Sequence, residues 1–290
     1  MDKYQDKSGT LYLVGTPIGN LEDITLRAIR ILKEADIVAA EDTRRTLGLL
    51  NHLGIKKKLI SYHEHNKRDR EPAILEALEQ GNNVALVTDA GMPGISDPGE
   101  DLAASCLEAG FLVTVVPGPT AVTAALAVSG LDTDKFYFGG FFPRRNKDRI
   151  KCLESLAGFK DTIVFYESPF RLLDALNSIK QAWGDRRCCV ARELTKTYEE
   201  INRGRISEVY EQYSSRKEIK GEFTLLIEGA GELLPGQIEA PSESEIMDCF
   251  NNYLRQGMTK KDAGLKTASS LKINKKTIYK LIHRAGKESD

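Results

Sequence analysis

The sequence predicts an α/β protein with a parallel-sheet N-terminal domain, a mixed-sheet second domain and a small helical C-terminal domain. Three observations carry this. As far as Gly130, short apolar runs alternate with helical spacing; beyond it, strands outnumber helices; and GAGELLPGQIEAPSESE (Gly229–Glu245), rich in Gly, Pro and Glu, precedes a tail with helical spacing. Strand–helix repetition with short connections builds a parallel sheet covered on both faces, whereas closely spaced strands require antiparallel pairs.

In the first part the apolar runs predict strands over Leu11–Val14, Ile37–Ala40, Leu59–Tyr62, Val84–Thr88 and Val113–Val116. Helical spacing falls between them, at Leu26–Ala35, Thr43–Leu53, Ala73–Gln80, Leu102–Ala109 and Ala121–Ser129. Asp97 and Pro98 read as the start of the fourth helix, and Gly54, Gly81 and Gly110 as stops. The second part gives strands at Lys135–Phe141, Thr162–Tyr166, Arg187–Arg192, Glu199–Arg203 and Phe223–Ile227, with helices at Lys147–Leu156, Pro169–Trp183 and Ile206–Tyr213. The expected domains are therefore 1–131, 132–230 and 244–290, with a linker over 231–243.

Composition bounds the function. The chain has 290 residues, 29% charged and 41% hydrophobic, with a net charge of −1, so any nucleic-acid surface has to be local. Five cysteines, none in a CxxC pair, point to a reducing, cytoplasmic compartment without structural zinc, and the adjacent Cys188 and Cys189 read as packing. No leader-like or membrane-spanning run is present, so a soluble protein with no membrane partner is expected.

Candidate chemistry clusters at strand ends. VTDAGMPGISDPG (Val87–Gly99) breaks a strand into a loop of three glycines, two prolines and two aspartates, suited to a polar ligand lying against main chain. LVTVVPGPT (Leu112–Thr120) repeats the idea at the next strand, as expected of an α/β ligand site. GTPIGN (Gly15–Asn20) sits where a phosphate loop would, yet it is neither a Walker loop nor GxGxxG. AEDTRRT (Ala40–Thr46) and SYHEHNKR (Ser61–Arg68) end the second and third strands with acids, arginines and two of the four histidines. Against these stand a helix cap by Asp42 and plain loop histidines, and HxH is no zinc motif.

FFPRRNKDR (Phe141–Arg149) and FYESPFR (Phe165–Arg171) set aromatics beside arginines, which suits a nucleic-acid groove or equally a core pair before a solvated helix. ARELTKTYEE (Ala191–Glu200) crowds Arg192, Glu193, Thr195 and Lys196, a salt-bridge network or a site. In the tail, Thr259 precedes a helix and a second helix opens near Asn274, helix-turn-helix spacing with six Lys/Arg and no acid from Leu271 to Lys287. A packing module with solvated lysines accounts for the same pattern.

Taken together, LVGTPIGNLEDITLRA, AAEDTRRT, ISYHEHN, VALVTDAGMPGISDPG, VPGPTAVTAALAVSGL, FFPRR, VFYESPFRL, ARELTKTYEE and GEFTLLIEGA resemble, in this order, the ribosomal RNA small subunit methyltransferase I family. That family lies within the tetrapyrrole methylase class of S-adenosylmethionine-dependent methyltransferases. The resemblance spans about residues 10–230, and the basic tail is similar to the helical C-terminal domain of many members. It implies a tetrapyrrole-methylase-like two-domain fold with the cofactor in the cleft. It also implies a homodimer and 2′-O-methylation of a cytidine ribose in the decoding centre of 16S rRNA, on the 30S subunit.

Carried over, Asp89, Gly91, Pro93, Ile95 and Ser96 would line the methionyl and ribose side of S-adenosylmethionine, and Thr120 and Ala121 would hold it by main chain. Tyr166, Ala191 and Glu222, Phe223 and Thr224 would complete the adenine pocket. Asn20, Asp42, His63, Asn66, Arg144, Arg145, Glu167 and Arg192 are the substrate-binding candidates. Phe170 departs from the family's usual His after YESP, and Gly94 stands where a larger apolar residue is common.

A ribose hydroxyl is a poor nucleophile when neutral, so a base should assist, typically by roughly 10²–10⁴ in rate. Glu41 or Glu64 is the expected base, with Arg44 or Lys196 countering charge; no metal is signalled. Two alternatives share parts of this pattern. A tetrapyrrole methylase would use the same cofactor loops but needs no basic tail. A ligand-sensing DNA-binding regulator would rely on one short basic helix, a weak grip on a near-neutral chain.

Overall fold

The computed structural model describes residues 8–231, 243–255, 257–271, 278 and 281. The chain divides into two compact units, 1–231 and 232–290.

The first unit holds two five-stranded sheets. Strands β1 (Thr10–Val14), β2 (Ile37–Ala40), β3 (Lys58–Ser61), β4 (Val84–Val87) and β5 (Leu112–Val116) form an all-parallel sheet in the order β3-β2-β4-β1-β5. Alternation along the strands sends side chains to two separate cores. Val38, Ala40, Ala85 and Val87 pack under helices α1 (Leu26–Glu34) and α2 (Thr43–His52). Ile37, Ala39, Val84 and Leu86 pack under α3 (Lys67–Glu79) and α4 (Glu100–Glu108). Both faces are covered, which explains why β2 and β4 are apolar throughout and fully buried.

Side-chain caps start several helices. Thr25 Oγ1 accepts the Ala28 N–H, and Asp42 Oδ1 accepts the Arg44 N–H. Gly54, Gly81 and Gly110 follow helices α2, α3 and α4 with positive φ, the helix stops expected of these glycines. Two starts differ from expectation. Helix α3 begins at Lys67, directly after Asn66, and Pro72 is accommodated inside it. Helix α4 begins after Gly99, at φ 140°, so Asp97 is not its cap.

The second sheet has the order β6-β7-β10-β8-β9, from β6 (Phe136–Phe141), β7 (Thr162–Glu167), β8 (Arg187–Arg192), β9 (Glu200–Arg205) and β10 (Phe223–Ile227). Only β6 and β7 run parallel, and the other pairs are antiparallel. Helices α6 (Asn146–Leu156), α7 (Leu172–Trp183) and α8 (Ile206–Ser214) cover one face. The expected helix from Pro169 divides into a 3-10 turn, Pro169–Arg171, followed by α7. The other face packs on α5 (Ala121–Ser129), which leaves the end of β5 and so joins the two sheets. Cys188 and Cys189 are buried on opposite faces of this sheet, and burial pushes both thiols up, to about 12 and about 11.

In the second unit, α9 (Glu243–Arg255) and α10 (Lys260–Ser270) share an apolar cluster of Ile246, Ala268 and Ile278. Thr259 Oγ1 caps α10 through the Asp262 N–H. The linker apart from its two ends, the helix expected near Asn274 apart from Ile278 and Leu281, and most of the tail lysines lie outside the described residues.

Candidate active site

Three loops meet where β1, β4 and β5 end. Thr16 and Gly91 exchange main-chain hydrogen bonds of 2.9 and 3.1 Å, tying the GTPIGN turn to the loop after β4. The Thr16 hydroxyl adds a bond to the Thr88 carbonyl at 3.1 Å. On the other side Gly15 lies against Gly118 of the PGP turn, where a Cβ on Gly15 would come within 2.7 Å of the Gly118 Cα. The loop after β4 is sharply bent, with Gly91, Gly94, Ser96 and Gly99 all at positive φ. Ser96 is the costly member, since a side chain disfavours that conformation.

These loops and the facing edge of the second sheet enclose a cavity of about 360 Å³. Its mixed lining includes Ile18, Met92, Leu194 and Tyr166 beside the acids Glu41, Asp89, Asp97 and Glu222. Asp89 Oδ1 accepts the Asp42 N–H at 3.0 Å, and Arg45 Nε stands 3.4 Å from Asp89 Oδ2. Burial, with the charges of Glu41 and Asp89, pushes the Asp97 carboxyl up to about 7. Burial likewise raises the Tyr166 phenol to about 12.

Of the residues singled out in the sequence, the cavity brings together Asp89, Gly91, Ile95, Thr120, Ala121, Tyr166, Ala191, Glu222, Phe223 and Thr224. Phe223 packs its ring on Tyr213 in the core, so it presents main chain to the cavity. Pro93 and Ser96 do not line it; Pro93 is buried and Ser96 exposed. Among the catalytic and substrate candidates, Glu41 and Glu167 line the wall. Glu167 is buried and ion-paired with Arg171, and burial raises its carboxyl.

The remaining candidates lie elsewhere. The Arg44 side chain is 89% exposed and pairs with Asp42, whose carboxyl that hydrogen bond holds well below its usual range. Glu64 is 67% exposed and paired with Lys67. Lys196 bridges Glu193 and Glu222, and Glu222 alone of the three reaches the cavity. Asn20 caps the 3-10 turn Leu21–Asp23, and Asn66 caps its own loop through the His63 N–H. His63 stacks edge-on with His65, Arg192 binds Glu200 and the Lys220 carbonyl, and Arg144 and Arg145 are exposed.

Sequence reasoning missed Arg45, Asp97, Ile18, Met92 and Phe141 as lining residues. Arg45 and Asp97 carried a signal. Arg45 is one helical position, about 100°, away from Arg44, and Asp97 sits in the same Gly/Pro loop as Asp89.

This architecture is that of the tetrapyrrole (corrin/porphyrin) methylases, whose family model matches residues 10–210, and the chain belongs to that family. Solved structures share the fold: diphthine synthase over 76% of this chain and 90% of its own (TM-score 0.60, 12% identity), and cobalt precorrin-4 methyltransferase over 76% and 94% (TM-score 0.56, 20% identity). Curated relatives narrow the class. Ribosomal RNA small subunit methyltransferase I of Halalkalibacterium halodurans is 47% identical, over 97% of this chain and 96% of that protein. Its namesake in Bacillus subtilis is 43% identical, over 95% and 94%. That of Thermotoga maritima is 50% identical, over 76% of this chain and 99% of that protein. Within the class, the chain belongs to the ribosomal RNA small subunit methyltransferase I family and is a methyltransferase.

Methyltransferases of this family imply S-adenosylmethionine as donor. The residues present fit such a molecule. A sulfonium and an ammonium call for carboxylates without a metal, and the cavity presents Glu41, Asp89, Asp97 and Glu222. Apolar Ile18, Met92 and Leu194 with Tyr166 suit an adenine and its linker.

Proposed function

We propose that this chain 2′-O-methylates a cytidine ribose in the decoding centre of 16S rRNA, acting in the cytoplasm on the 30S subunit as a homodimer. The observation that carries the reading is an acid-lined cavity at the ends of β4 and β5, in a chain whose curated relatives carry a ribosomal RNA methyltransferase name over nearly its full length. Asp89, Gly91, Ile95, Thr120 and Ala121 are assigned to the methionyl and ribose side. Tyr166, Ala191, Glu222, Phe223 and Thr224 are assigned to the adenine.

When bound, S-adenosylmethionine supplies an electrophilic methyl carbon for in-line displacement. The protein's main task is alignment of the acceptor oxygen, which rigid loops serve by removing motional freedom before the reaction. Glu41 takes the hydroxyl proton at its carboxylate. Its place is held by the Asp89 N–H, which donates to Glu41 Oε2 at 3.2 Å. Arg45, beside Asp89, supplies the counter-charge, in place of Arg44 or Lys196.

The test is transfer of labelled methyl to purified 30S subunits that lack the modification. Label in the RNA supports the reading. Label entering a tetrapyrrole, with none in 30S subunits, contradicts it.

A further inference from the structure

Two exposed aromatic residues, one lining the cavity and one next in sequence to its lining, are left unused by the reading above. Phe141 lines the cavity at the end of β6, is 57% exposed, and meets the Tyr166 ring edge-on with centroids 5.5 Å apart. Phe170 is 93% exposed and directly follows Ser168 and Pro169, both cavity-lining. We propose that Phe141 and Phe170 form a stacking platform at the cavity mouth that holds an unpaired nucleobase of the RNA substrate and directs its ribose inward. This rests on the RNA reading and names how the acceptor nucleotide is held.

A single exposed Phe on a protein surface is ordinary. Here one guanidinium fixes both rings' segments. Arg171 ion-pairs with the buried Glu167, donates from Nε to Ser168 Oγ at 3.2 Å and donates from a terminal nitrogen to the Phe142 carbonyl at 3.2 Å. The Ser168 N–H donates to Glu167 Oε1 at 2.6 Å, and the Phe142 N–H donates to the Tyr166 carbonyl at 3.0 Å. The turn bearing Phe170 and the strand end bearing Phe141 are thus parts of one clamped edge. Backbone held in place loses little further freedom when a base stacks on the rings it carries, so more of the stacking energy appears as affinity.

Charge selects the occupant. Arg144 and Arg145, exposed and three and four residues beyond Phe141, suit the phosphates of an RNA strand, whereas the acids inside repel them. Backbone outside and sugar inside is the arrangement a 2′-oxygen acceptor requires, and a base leaves its stack more readily when another π-face receives it.

Phe170→Ala tests this in the full chain; as an exposed residue it leaves the fold intact. The variant is expected to raise KM for unmodified 30S subunits about tenfold, the scale of one lost base stack, with kcat and cofactor affinity near wild type. Phe170→Trp and Phe170→Tyr are expected to retain the wild-type KM, and Phe170→Leu to behave as the Ala variant. The chain's one tryptophan, Trp183, is buried, so Phe170→Trp adds a separable fluorescence signal. That signal is expected to quench with an RNA hairpin bearing an unpaired cytidine and not with a fully paired duplex.

An unchanged KM in Phe170→Ala, a Leu variant as good as wild type, or no quench overturns the platform. A change of oligomeric state in Phe170→Ala overturns it too, since the ring would then be a contact between copies. Absence of transfer by the wild type instead overturns the RNA reading itself, which separates the two failures.

Discussion

The Asp89 N–H donates to Glu41 Oε2 at 3.2 Å across neighbouring strand ends, and Asp89 Oδ1 accepts the N–H of Asp42, the residue after Glu41, at 3.0 Å. The register of β2 on β4, with Ala40 opposite Val87, brings the two acids together. The Glu41 carboxylate is thereby oriented by the Asp89 main chain, and that of Asp89 by the Asp42 main chain, while both residues line the cavity.

That orientation separates Glu41 from Glu64. Glu41→Gln keeps an oxygen for the Asp89 N–H but loses proton-accepting power. It is expected to slow single-turnover methyl transfer by about 10²-fold. Glu64→Gln, on the exposed Lys67 pair, is expected to leave the rate unchanged. Equal effects of the two would remove Glu41 from the role.

Arg45 and Arg44 make a second contrast. Arg45→Ala removes a guanidinium from the cavity wall and is expected to lower the transfer efficiency about tenfold, the scale of one charged hydrogen bond. Arg44→Ala acts only on an exposed pair with Asp42 and is expected to change little. Steady-state kinetics on both variants decides it.

Asp97 predicts a pH signature. Its carboxyl, raised to about 7, is partly protonated near neutrality, and a cationic ligand binds its ionised form better. Cofactor affinity should therefore rise from about pH 6 to about pH 8, with proton release on binding at the lower end. Calorimetry in buffers of different ionisation enthalpy measures that release. In Asp97→Asn this contribution should vanish.

The close approach of Gly15 to Gly118 predicts a stability effect. A Cβ on Gly15 would stand 2.6 Å from Met92 Sδ and 2.7 Å from the Gly118 Cα, and backbone does not yield cheaply. Gly15→Ala is expected to cost about 2 kcal/mol, seen as a Tm lower by about 4–8 °C. Gly48→Ala, in helix α2 with nothing within 4 Å, is expected to gain roughly 0.5–1 kcal/mol.

For most strands of both sheets, burial wrote itself into short apolar runs that could be read from the sequence, β9 with its EINRGR being the exception. Ile37–Ala40 and Arg187–Arg192 stand as strands with the bounds expected. Element ends were harder. The turns of α3 before Pro72 are Lys67–Glu71, all charged, so they carry no apolar period that would mark them as helix. Main-chain-rich loops such as Val87–Gly99 announced themselves through Gly and Pro. Side chains at strand ends did not: AEDTRRT offers two acids and two arginines, and only the helical rotation after Asp42 decides that Arg45 lines the cavity and Arg44 does not. Long-range pairing hid the fate of Lys196 as well, since its partner Glu222 lies on the approach to another strand.

Labelled methyl transfer to unmodified 30S subunits, followed by mass-spectrometric mapping of the modified nucleotide, tests the central claim most directly. The account predicts a single methyl group on the 2′-oxygen of a cytidine in the decoding centre. A methyl group on a base, on a different nucleotide, or on no RNA at all would contradict it.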